Sequence, residues 1–231
     1  VDVDFLLRKI SNTPERLKSV LEEIIVTPTE NDFTTFEIKD ITPIAVAKKY
    51  ASIGASIIAH IKNTGTPFSI DFGIGDVIVP KPEKRKIPTQ LDDFIAPIVN
   101  TYSLETTIAE KIDAILSLME FSSRMKDYYD IYYLANKFDF DGATLTEALR
   151  KTFENREHNF TLEQFRQITA FDDDEAMQKK WRSFVRKIDS KTDDYSTVLK
   201  TIKGFLTKPF IAAVGRKEFT KQWYAANNEW M

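Results

Sequence analysis

The chain has 231 residues, 42% of them hydrophobic, no cysteine and a formal net charge of −3. This composition excludes a disordered chain and supplies apolar side chains for one good core or two modest ones, while the lack of Cys excludes disulfides, thiolate zinc sites and a cysteine nucleophile. The charge is divided: from Lys179 onward 12 Lys and Arg stand against 5 Asp and Glu, or +7, which leaves −10 for residues 1–178. An acidic front suits metal binding and a basic tail suits phosphate-rich partners, the plain alternative being solvated basic helix faces. No apolar run approaches the ~20 residues of a membrane helix, and the start lacks the order of a signal peptide. A soluble, cytoplasmic protein with no membrane partner is expected. Because Val1 stands where Met would, directly before a motif, part of the natural N-terminus is expected to be missing.

Val1, Val3 and Phe5 alternate with Asp2 and Asp4, which predicts a strand with an apolar and an acidic face. Thr13 and Pro14 open a helix whose stripe is Leu17, Val20, Leu21 and Ile24 and which ends before Pro28. Extended segments are predicted at 33–38, 56–62 and 68–74, the last two joined by a hairpin through Asn63 to Pro67. In the third, Phe68, Ile70 and Phe72 face inward and Asp71 outward. Residues 80–88 read as an exposed basic loop, with a short apolar run near Ile98 and Val99. Beyond it Ser103 caps a helix with the stripe Ile108, Ile112, Ile115 and Met119, and another begins near Arg124. From there only helical periodicity is visible, broken near 139–142, 158–160, 189–194 and 208–209. The expected class is α+β: a small mixed-sheet domain over 1–102 followed by a helical domain over 103–231.

Asp2 and Asp4 lie roughly 6.5–7 Å apart along one strand face, and Asp71 on a later strand faces the same way. Phosphoryl transfer with two hard cations uses about three such carboxylates. Lys111 lies at the border of its helix's apolar stripe, where an ammonium either reaches a cleft or snorkels to water. Asp127 and Asp130, at i and i+3, share a helix face with Lys126 and Arg124 near by. The tyrosines at 128, 129, 132 and 133 either stack bases or form core. Basic groups at 81–86 and 179–187, the latter interleaved with Trp181, either bind an RNA backbone or form ordinary surface. His60 and His158 are solitary and read as surface or core residues rather than ligands.

These segments resemble the AbiEii-type nucleotidyltransferases of the polymerase-beta-like superfamily. Asp2-Val3-Asp4-Phe5 is similar to the family's Asp-x-Asp-Phe segment, and Ile70-Asp71-Phe72-Gly73 to its second acidic segment. Glu105 to Lys111 is similar to its Glu-x-x-x-Ala-Glu-Lys helix, and Lys126-Asp127 with Asp130 to its Arg/Lys-Asp-x-x-Asp helix. The resemblance covers about residues 1–135. The family's Gly-Ser or Gly-Gly phosphate turn lies upstream of the acidic pair and so outside this sequence, and Lys126 stands where Arg is common.

The resemblance implies Mg2+ or Mn2+ held by Asp2, Asp4 and Asp71, with Asp4, Asp71, Lys111 and Asp127 as catalytic residues. Lys111, Lys126 and Asp130 would bind the nucleoside triphosphate. It implies transfer of a nucleotide to an acceptor hydroxyl, RNA and in particular the 3′ end of tRNA, by a toxin made beside a DNA-binding antitoxin. The alternatives are transfer to a protein hydroxyl and an inactive module that binds nucleotide or RNA.

Overall fold

The computed structural model describes the chain except residues 1, 9, 12, 29–32, 45–51, 91–92 and 189–190 and the side chain of Asp2. The chain divides into two compact units, 1–76 and 77–231.

The first unit contains β1 (Asp2–Leu7), α1 (Pro14–Ile25), β2 (Thr34–Ile44), β3 (Ser52–Ile61) and β4 (Thr64–Ile74). The strands form one mixed sheet in the order β1-β4-β3-β2, with β1 parallel to β4 and the other pairs antiparallel. Thr13 caps α1 by accepting from the Arg16 amide, and Pro14 occupies the first turn, where its missing N–H costs nothing. Leu17 and Leu21 pack on Ile53, Ala55, Ile57, Ile70 and Phe72, so α1 covers one face of the sheet. Ile24, expected in the stripe, is 59% exposed. Phe5, on the edge strand β1, is also half exposed, and its ring stacks on Phe72 at 6.0 Å.

The strands run longer than the sequence predicts. The β3–β4 turn is only Lys62-Asn63, with Lys62 at φ 52°, so Thr64 to Pro67 belong to the ladder. Pro67 stands opposite Ile58 in the β3–β4 ladder.

The second unit begins with a two-stranded ribbon, β5 (Glu83–Lys86) and β6 (Ile98–Thr101), where the sequence reads as loop. Its helices are α2 (Leu104–Leu118), α3 (Met125–Lys137), α4 (Gly142–Asn155), α5 (Leu162–Ile168), α6 (Glu175–Ile188) and α7 (Tyr195–Val214). The boundary at 76 rather than 102 has a local cause: Ser103, which caps α2, also donates to the Val79 carbonyl, and the Val79 amide donates to Thr106 Oγ1 at 2.9 Å. These bonds tie the segment before the ribbon to the helices.

Helical periodicity conceals a small sheet made of β7 (Phe140–Asp141), β8 (Gln222–Tyr224) and β9 (Glu229–Trp230). It also overstates the break at 208–209, since α7 continues through Pro209. A proline there deprives the Phe205 carbonyl of its backbone donor. The Trp230 indole replaces it, donating to Phe205 O at 2.8 Å.

Candidate active site

On the sheet face away from α1, register sets Asp4 opposite Asp71 and Asp71 opposite Gly54. Two carboxylates and a glycine therefore form one row across three strands, neighbours in a sheet standing about 4.8 Å apart. Asp4 is exposed and Asp71 half-buried. A Cβ at Gly54 would lie 3.5 Å from Asp71 Oδ1 and 3.4 Å from Ile44 Cγ1. Alanine would make ordinary contact there, whereas a longer side chain would fill the room beside the carboxylate. Gly54 went unremarked in the sequence, although a lone glycine inside an apolar strand signals close approach.

Asp2 pairs with Ser69 one row further on, but its side chain lies outside the described residues. Ser56 and Ser69, opposite each other on the same face, border an open cavity of about 260 Å³ together with Ile58, Pro67 and Lys39. Farther along, Glu37 accepts from Lys39 at 2.6 Å and lies 3.2 Å from His60 Nε2, which holds its carboxyl below the usual range. His60 is thus a surface partner of Glu37.

The paired donors are hard oxygens with no imidazole or sulfur opposite them in the row, which suits Mg2+ or Mn2+. Among the described residues no group of three or more His, Cys, Asp and Glu converges as a metal site, so the described donor set is the pair.

In the second unit, α2 and α3 bring Lys111, Asp127 and Asp130 together. Ser103 and the buried stripe Ile108, Ile112 and Ile115 fix α2 so that Lys111 points at α3. Its Nζ lies 3.1 Å from Asp127 Oδ1 and 2.6 Å from Asp130 Oδ2, with 17% of the side chain exposed. Burial alone would lower its pKa, but Asp130 and then Asp127 outweigh that and hold the ammonium above the ordinary lysine range. Arg124 Nε also pairs with Asp127, and Lys126 Nζ reaches Asp130 Oδ2 at 2.8 Å from an exposed position. Three cations thus share two carboxylates.

Several of the other sequence candidates have structural employment. Tyr128 is buried against Tyr195, and burial pushes its phenol up to about 12. Tyr129 packs on Phe184, and Tyr132 donates to Asp193. Trp181 is 3% exposed and donates to Asp193 O, while Lys180 caps the carbonyls of Glu120 and Ser122. His158 Nδ1 lies 2.8 Å from the buried Asp113, which Arg156 also holds at 2.8 Å. This internal ion cluster had no signature in the sequence.

The sequence model of the family described as "Nucleotidyl transferase AbiEii toxin, Type IV TA system" matches residues 1–208. No match was found among curated proteins. Two solved structures are similar, both from Helicobacter pylori: JHP933, at 14% identity over 93% of this chain and 75% of that one with a TM-score of 0.40, and "Crystal structure of putative nucleotidyltransferase from H. pylori", at 15% over 93% and 78%, also 0.40. No helix among the described residues is long and apolar enough to cross a membrane. Both structural likenesses are distant and the sequence match spans most of the chain; on that match, the chain belongs to the AbiEii nucleotidyl transferase toxin family of type IV toxin–antitoxin systems.

Proposed function

We propose that the protein transfers a nucleoside monophosphate from a nucleoside triphosphate to an acceptor hydroxyl on RNA, the 3′ end of tRNA being the expected acceptor. The observation that carries this reading is the row Asp4–Asp71–Gly54, two carboxylates on adjacent parallel strands with space left beside them. Asp4 and Asp71, with Asp2 on the same strand, would hold Mg2+ or Mn2+. When bound, such an ion supplies Lewis-acid neutralisation of the phosphoryl oxygens.

The remaining steps belong to the chain. The acceptor oxygen attacks the α-phosphorus in line, an O–P bond forms, the bond from that phosphorus to the α,β-bridging oxygen breaks, and pyrophosphate leaves. Asp71 takes the hydroxyl proton. Lys111 counters the charge of the triphosphate, and Asp127 and Asp130 fix its head and so remove the entropy of placing it. Lys126, largely exposed, adds a second cation that Asp130 steers.

The test is incorporation of labelled nucleoside triphosphates into purified tRNA and, in parallel, into protein. Asp4→Asn and Asp71→Asn are expected to lower incorporation into tRNA by a factor of about 100 or more, with Asp4→Asn leaving the melting temperature unchanged because Asp4 is exposed. Wild-type incorporation by either variant defeats the carboxylate assignment. Label appearing in protein alone transfers the reading to a protein acceptor.

A further inference from the structure

The C-terminal helix α7 carries a surface that its own unit does not explain. It contains three cations, Lys200, Lys203 and Lys208, and no acid. All three are exposed, as is Gly204, with Thr207 partly so. Spaced at i, i+3, i+4, i+7 and i+8, they form one stripe, away from the buried Ile202, Phe205, Leu206 and Pro209. Four other helical cations of this unit are paired within a turn: Lys126 with Asp130, Arg150 with Glu147, Lys151 with Glu154, Arg166 with Glu163. Among the described residues the three α7 lysines have no carboxylate partner.

Gly204 is a separate observation. Only proline is a poorer helix former, and glycine serves where another group must come close to the backbone. Among the described residues none does: a Cβ at 204 would meet no atom within 4 Å. The approach over the helix backbone, between Lys200 and Lys203 on one side and Lys208 on the other, is open. Eight residues of helix spread the lysines over about 12 Å. The positions between the lysines, Gly204 and Thr207, carry no large apolar side chain, and the nearest exposed one on this face, Ile211, lies beyond Lys208; the lysine-bearing stretch attracts through charge.

We propose that this face of α7 receives the sugar–phosphate backbone of the RNA acceptor, each lysine countering a phosphate while Gly204 lets the strand run close to the helix. The proposal rests on the reading of the acceptor as RNA and adds where its backbone lies.

The test uses the full chain and a fluorescein-labelled tRNA, with binding followed by anisotropy between 50 and 200 mM salt. The triple variant Lys200→Gln/Lys203→Gln/Lys208→Gln is expected to bind about tenfold more weakly or worse at the low-salt end. The slope of log K against log[salt] should fall in magnitude by about 2–3, as three lost phosphate contacts require. Gly204→Leu, which favours the helix, is expected to weaken binding several-fold without lowering the melting temperature. In turnover, the KM for tRNA should rise in both variants and the KM for the nucleoside triphosphate should not.

Unchanged affinity and slope in the triple variant overturn the proposal. So does a wild-type chain that fails to bind tRNA, or one that binds polyglutamate as tightly at the same salt, which would give the face to an acidic protein. The binding assay needs no turnover: if the wild type binds tRNA through α7 yet transfers no nucleotide, the enzymatic reading falls and this surface stands.

Discussion

At Lys111 two carboxylates compete for one ammonium, and the nearly buried one, Asp127, has only Arg124 besides it for charge. Removing the ammonium as Lys111→Met would strip a hydrogen bond from Asp127 and cost roughly 1–3 kcal/mol, a fall in melting temperature of a few degrees. The pH dependence follows from the raised pKa. The contribution of Lys111 is fully present below the unfolded value near 10.4 and is lost as pH rises through the higher folded value. Stability curves of wild type and Lys111→Met should therefore be separated at neutral pH and converge in strongly alkaline solution. A gap that persists there would make the loss one of packing. Lys111→Arg keeps the charge and is expected to retain more triphosphate binding than Lys111→Ala, measured by nucleotide titration.

Among the elements, α7 turns on a substitution of donors: Pro209 removes one from the Phe205 carbonyl and Trp230 restores it. Trp230→Phe should cost roughly 1–3 kcal/mol through the buried acceptor left unmade. Pro209→Ala returns a backbone N–H to that carbonyl, so it should be less harmful in the Trp230→Phe background than in wild type. A double-mutant cycle should give a favourable coupling of about 0.5 kcal/mol or more; strict additivity would show that the two residues act separately. The same feature marks the limit of sequence reading. Caps and stripes are local, so Thr13, Ser103 and the isoleucines of α2 announce their helices. The alternation that put Asp4 and Asp71 on like faces of two strands is local as well. No local signal tells that Trp230, 25 residues away, repairs a helix broken by proline. Nor does one tell that Lys84 to Lys86 pair with Ile98 to Asn100, or that Gly54 borders Asp71, because register across strands is a property of the assembled sheet.

At the scale of the molecule, the two units differ in how much they bury. Among the described residues the sheet unit has a core of seven buried apolar side chains and the helical unit one of 29. Local opening is easiest where apolar burial is least. Native-state hydrogen exchange is expected to show faster opening of β2, β3 and β4 than of α2, α3 and α7. Equal protection would mean that the sheet draws stability from outside its own core.

The parallel pairing of β1 with β4 also sets when the two carboxylates first meet. Asp4 and Asp71 are 67 residues apart, and parallel strands meet only across a long crossover. Here that crossover is α1, β2 and β3, all of which must be synthesised before β4. A pairing so distant in sequence must first meet the entropy cost of closing the loop between its strands. A nascent or partly folded chain therefore presents Asp4 without its neighbour, and on the proposed reading the carboxylate pair is complete only when the fourth strand docks. Synthesis time and the folding of one small sheet thus form an interval in which the cell holds the toxin's polypeptide without its carboxylate pair.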